Sequence, residues 1–496
     1  MKKILSSSVA AIVLGLISAT ASASLEEGIQ AIKEKNYATA VHFLQPMADQ
    51  GSILAMRYLG IIYQTGKGTA IDFAKAINFY NMAAQKGDAV SQAALASMYE
   101  TGKGTPQNYT IAANLYQQSA IQNFPDAIYA LSRLYEKGFG VSKDPEKSIS
   151  LLKSAASKGL TDAQNELGLK YITGNLVKKD PLEAFKNFQL AANSGSAVGQ
   201  RNLATMYDQG FGIPKDPNKA LYFYKLSADQ DDPESQFALG QIYQYGTDAA
   251  VNDKVALDWY QKAALQNHAR AQYKVGYFYW KGIAVKTNIE TALFWLSKAS
   301  DFGVPEAQTD LARFYELGNG LPKNEEKARH LYSNASLQNY PQAQYFLALM
   351  LKDGRGGKAD MAKSVEYLIS LSSKGMSEAQ SQLGFMYENG IGVSKNYKSA
   401  VSLYWMATSD ADNTGNGIEL LGKAFIKGIG VKASPSIGYA LLQKCLQEHP
   451  EKKHLENEIR SINLSMSTSE IADAKKILDQ LNRRDLSTIK LALQKV

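Results

Sequence analysis

The chain repeats itself every 36 residues, and no other feature limits its fold as strongly. A glycine opens a short turn at Gly66, Gly102, Gly138, Gly174, Gly210, Gly246, Gly282, Gly318, Gly354 and Gly390, and again at Gly428 after a two-residue insertion. A unit of this size cannot bury its own apolar face, so eleven copies in register must stack on one another. The chain length therefore stops implying several globular domains, because a stack grows linearly.

The remaining columns define the unit. Three residues before the turn glycine stands a tyrosine, from Tyr63 to Tyr387, with Leu351 as an exception. Upstream lies a column of small residues such as Gly60, Ala96, Ser132 and Gly168. Spacings of three and four place these columns on one helical face, and the small residues admit a neighbouring helix. Six residues after the glycine comes an N-cap residue: Asp72, Asn108, Asp144, Asp180, Asp216, Asn252, Asn288, Asn324, Asp360, Asn396 or Ser434. Pro145, Pro181, Pro217 and Pro435 follow at the first helical position. A second helix starts there and stops at residues that tolerate a left-handed backbone, including Gly87, Asn123 and Gly159. The pattern predicts an all-α chain, an α/α superhelical solenoid of about eleven 36-residue helix-turn-helix repeats. We term the two helices of each repeat A and B.

The string Ala163-Gln164-Asn165-Glu166-Leu167-Gly168, Tyr171, the Gly138-Phe139-Gly140-Val141 turn, Lys143-Asp144-Pro145 and Ala155-Ala156 closely resemble the Sel-1-like repeat family, relatives of the tetratricopeptide repeat. The resemblance runs over about residues 28 to 447. It implies a right-handed α-superhelix that holds proteins or peptides on its inner surface. Leu176, Asp248 and Ala284 depart from it by replacing the second turn glycine. The disulfide-bearing branch is excluded, since Cys445 is the single cysteine.

Lys2 and Lys3, the apolar run Ile4 to Ile17 and then Ala21-Ser22-Ala23 match the three regions of a secretory signal peptide. The expected organisation is a signal peptide over 1–23, a divergent helix pair over 24–54, repeats over 55–447 and a helical cap over 448–496. In the cap, Ser467 and Glu470 mark a helix start and Ile471, Ala474, Ile477, Leu478 and Leu481 form one apolar stripe. A bulge or part of an added turn is expected over 407–413, where the insertion falls. With the leader removed, no integral membrane segment is expected, and the mature protein should be periplasmic or secreted.

The formal charge of +7 is mild for 496 residues, and its cations are interspersed with acids, which argues against nucleic acid as a partner. No catalytic, cofactor-binding or metal-ligating constellation emerges. His449 and His454 enclose a proline and lysines, and Ser150-x-x-Lys153 and Ser487-x-x-Lys490 lack the companion motifs of serine acyl-enzymes. A glutamine column, Gln92, Gln164, Gln200, Gln236, Gln272, Gln308, Gln344 and Gln380, fits hydrogen bonding across successive repeats better than peptide binding.

One group of residues departs from the repeat. A-helix positions that folding leaves free for polar residues hold Phe237, Tyr273, Tyr277, Trp280, Tyr345 and Phe385 in the sixth to tenth repeats, with Arg313 in register. Earlier repeats hold residues such as Ser97, Glu100 and Asp208 there. Solvated aromatic and arginine clusters serve as protein-binding hot spots, whereas the same rings could instead pack between adjacent A helices. The leading expectation is a non-enzymatic exported adaptor binding a protein or peptide along the concave face, in envelope regulation or host interaction. The alternative is a cell-wall-active enzyme or an obligatory subunit of one.

Overall fold

In the computed structural model, residues 24–247, 249–408 and 415–494 are described; the expected signal peptide over 1–23 and most of the expected bulge over 407–413 lie outside them. All regular structure among the described residues is α-helical. Two compact units divide the chain, 1–251 and 252–496, the boundary falling in the turn of the sixth repeat.

The local signals act as their chemistry requires. In the third repeat the A helix Pro125–Lys137 ends at Gly138, whose φ of 76° is left-handed and whose N–H donates to the Leu134 carbonyl. Gly140, with φ of 69°, has a different task. A Cβ there would stand 2.1 Å from the Tyr109 carbonyl oxygen, so the turn lies directly against the start of the preceding B helix. Leu176 and Ala284 carry the same backbone with side chains, at φ of 64° and 60°. Asp144 then accepts from the Lys147 N–H at 2.9 Å and starts the B helix Pro145–Ser157. Side-chain caps of this kind recur from Asp72 to Ser434.

Small A-helix residues make room for large B-helix ones. A Cβ on Gly60 would meet the Tyr80 ring at 2.5 Å, and one on Gly168 the Phe188 ring at the same distance. Tyr80, Tyr260, Tyr332 and Tyr404 are fully buried by this arrangement. The hydroxyl of such a tyrosine emerges on the far side: Tyr332 donates to Glu316 at 2.8 Å and Tyr404 to Glu388 at 2.6 Å.

Within the first unit, each B helix packs against its own A helix and the next one, while neighbouring A helices also touch, as Ile53–Thr65 does Ala89–Thr101. The second unit stacks in the same way, with Pro305–Leu317 against Pro341–Asp353. The A helices thus form the inner side of each stack. The second unit closes with the helices His454–Ser465, Thr468–Asn482 and Ser487–Gln494. Thr468–Asn482 begins with a full capping box between Ser467 and Glu470. Ile477, Leu481 and Ile489 cover Leu421, Phe425 and Leu441 of the last repeat, as the end of a solenoid demands. Cys445 is wholly buried in that region.

Candidate partner-binding face

The glutamine column lies inside the stack. Gln92, Gln164, Gln272, Gln308 and Gln380 are buried and donate through Nε2 to a carbonyl in the last turn of the preceding B helix, at 3.1 to 3.3 Å. Each of these carbonyls also accepts from the N–H three residues on in the helix-ending turn, so the glutamine adds a second donor at the helix end. Gln92, Gln200 and Gln308 accept in turn from Gln122, Gln230 and Gln338, each thirty residues on. Where that later residue is Ser194 or Phe302, Oε1 of Gln164 or Gln272 has no hydrogen-bond partner among the described residues. The column stitches successive repeats together and offers nothing to a ligand.

On the inner side of the first unit, polar residues bridge one A helix to the next. Tyr129 donates to Glu166 at 2.7 Å, and Lys170 reaches Glu136 at 2.8 Å and Glu166 at 3.5 Å. Arg57 pairs with Asp88, and Arg201 with Asp232 at 2.6 Å. Sequence reasoning missed these bridges. Their signal is an opposite-charge or tyrosine–carboxylate pair recurring at about one repeat length, 31, 34 or 37 residues apart.

The inner side of the second unit is built from different residues. On the A helix Ala269–Lys281, Tyr273, Tyr277 and Trp280 are half-buried and their rings form a chain, 6.1 and 6.0 Å between successive centroids. Trp280 continues to Phe314 on the next A helix at 5.1 Å. Lys281 lies over Trp280 at 3.8 Å, and Arg313 over Phe346 at 5.2 Å. Tyr273 donates to Asp310 at 3.2 Å. Burial pushes the Asp310 carboxyl up to about 6, against the lowering effects of the Tyr273 hydrogen bond and the Arg313 and Lys281 charges.

The seven residues singled out in the sequence therefore separate by exposure. Phe385, 40% exposed, and Arg313 are on the surface. Tyr277 is half-buried, as are Tyr273, Trp280 and Tyr345. Tyr273 and Trp280 pack against the apolar cluster around Leu296 and Phe314, and Tyr345 against the one around Leu368 and Leu383, so each has both a packing role and an open edge. Phe237 belongs to the first unit and is buried, 8% exposed, rather than solvated; it offers almost no surface to a partner.

No group of three or more His, Cys, Asp or Glu able to hold a metal occurs among the described residues. Ser150 and Lys153 are exposed on an outer B helix. Among the described residues, no helix is long and apolar enough to cross a membrane.

Paired helices with turn glycines, stacked by inter-repeat capping, define an α-solenoid of the tetratricopeptide-like class, a scaffold for protein–protein interaction. The chain belongs to the Sel1 repeat family: its family model matches twelve segments, 19–52, 53–88, 89–124, 125–160, 161–196, 197–232, 233–268, 269–302, 305–340, 341–376, 377–409 and 417–444. Among solved structures, the chain is similar to a protective antigen present in uropathogenic Escherichia coli strains and displaying an SLR fold, with 25% identity, a TM-score of 0.73, and 92% of this chain and 97% of that one covered. It is also similar to a Sel1 repeat protein from Oxalobacter formigenes, at 26% identity and a TM-score of 0.49 over 66% of this chain and 93% of that one. No curated protein matches the sequence. Proteins of this family are in general non-enzymatic scaffolds.

Proposed function

We propose that this chain is an exported scaffold that holds a protein or peptide against the inner, A-helix side of its second unit. The observation that carries the reading is that Tyr277, Arg313 and Phe385 share one A-helix column and reach the surface in part or fully, where four of the six preceding repeats place the polar residues Ser97, Arg133, Thr205 and Gln241. Aromatic and arginine side chains in partly desolvated surroundings dominate binding energy at protein interfaces. The leader pattern of residues 1–23 supports export, and the resemblance over 92% of the chain to a protective antigen supports a setting in the envelope or outside the cell. Envelope regulation and host interaction are both roles for such a scaffold.

The test is capture of a partner by in-cell cross-linking, comparing the native chain with one carrying Tyr277→Ser, Arg313→Ser and Phe385→Ser. The variant should lose the captured chain while its melting temperature stays nearly unchanged. Undiminished capture would remove this face from the account.

A further inference from the structure

We infer that the inner face of the second unit recognises a basic side chain, a lysine or arginine carried by the bound partner segment, through the carboxylate of Asp310. The inference rests on the groove reading above and adds the chemistry of its occupant.

An internal comparison carries the argument. The chain builds the same tyrosine–carboxylate bridge twice, from Tyr129 to Glu166 and from Tyr273 to Asp310, each 37 residues apart on successive A helices. At the first, the carboxylate has its counter-ion built in: the Lys170 ammonium lies 3.5 Å from Glu166, on the next turn of the same helix. The corresponding position in the second bridge, four residues after Asp310, is Phe314, and the position of Glu136 is taken by Trp280. Two rings in tilted contact thus replace a lysine and its carboxylate partner.

Asp310 consequently forms no ion pair among the described residues, and the Tyr273 hydroxyl is its hydrogen-bond partner there. The nearest cations do not take the missing role. Lys281 of the preceding A helix is drawn over Trp280, and Arg313, one turn on along the same helix, over Phe346. Glu306 on the same helix adds negative potential, and Tyr340, at the start of the next A helix, is neutral. The result is a half-buried carboxylate on an A helix whose hydrogen-bond partner is the Tyr273 hydroxyl, at one end of the Tyr273–Tyr277–Trp280 chain of rings. Such a group is stabilised by a cation arriving from outside, which favours an ammonium or guanidinium over an uncharged side chain.

The experiment is selection of random dodecapeptides displayed on phage against the folded full-length mature chain, followed by affinity measurement of the selected peptides. Peptides that bind the wild type and not Tyr277→Ser/Phe385→Ser should be enriched in lysine or arginine. Asp310→Asn, which keeps an acceptor for Tyr273, should weaken such a peptide by about tenfold or more. Replacing its basic residue with glutamine should weaken binding to the wild type equally, and have little further effect on Asp310→Asn. Wild-type affinity should fall as the pH drops through about 6, where Asp310 takes up a proton. Groove-dependent peptides without basic preference, or insensitive to Asp310→Asn, would overturn this inference and leave the groove reading standing. A selection yielding no groove-dependent peptide would overturn both.

Discussion

At the scale of single residues, function and stability separate by whether a polar group finds its partner inside the repeat. The glutamine column is the clearest case. Gln338 satisfies Gln308, but Phe302, 58% exposed, stands where a donor to Gln272 is needed. Phe302→Gln should therefore stabilise the protein by about 1 kcal/mol in chemical denaturation, the worth of one added buried hydrogen bond. An unchanged or lowered midpoint would show that Gln272 has no use for the donor. Asp310 behaves in the opposite sense. Its folded carboxyl is raised to about 6, so it favours the fold while protonated and loses that contribution as the pH rises through about 6. Asp310→Asn should raise the melting temperature at neutral pH and leave it nearly unchanged in the ordinary carboxyl range. A residue that costs stability at neutral pH is better accounted for by binding than by folding.

At the scale of helices and turns, the sequence was legible wherever a backbone conformation selects a residue type. Gly138 and Asp144 occupy the left-handed helix end and the N-cap that their columns imply. Gly138→Val and Asp144→Ala should each cost about 1 kcal/mol. Gly140→Ala should cost more, about 2 kcal/mol or above, because its Cβ would meet backbone atoms of Tyr109 and Thr110 rather than a movable side chain. That ordering, read from urea midpoints, checks the packing of the turn on the preceding repeat. Legibility ended where a residue's partner lies one repeat away. Nothing in the local pattern tells that Trp280 packs on Phe314, or that Phe237 is covered while Phe385 is open, because periodicity defines a face and not how closely the next helix covers it. The charged stretch after Pro450 hid another long-range feature. Burial would raise the Glu419 carboxyl, but hydrogen bonds from Lys423, Lys452 and His454 hold it at about 2, tying the last A helix to the start of His454–Ser465. Glu419→Gln should destabilise the closing helices by about 2 kcal/mol, since it strands partly buried lysines. The native contribution of Glu419 is present above the ordinary carboxyl range and lost as the pH falls through about 2.

At the scale of the whole molecule, a repeat array spreads stability over many similar interfaces, which frees individual inner-face positions for recognition. The export reading predicts a mature species beginning near Ser24, and intact mass decides it; a species retaining Lys2 and Lys3 would mean a tethered protein. The central claim, that the inner side of the second unit is where a partner is held, needs a measurement that separates location from mere exposure. Phe294 supplies the control, since it is 52% exposed on an outer B helix and is itself aromatic. A photoreactive residue placed singly at positions 277, 385 and 294 of the full-length chain in its native cells is the direct test. The account predicts that positions 277 and 385 cross-link the same partner chain and that position 294 does not; capture of that chain from position 294 alone would contradict it.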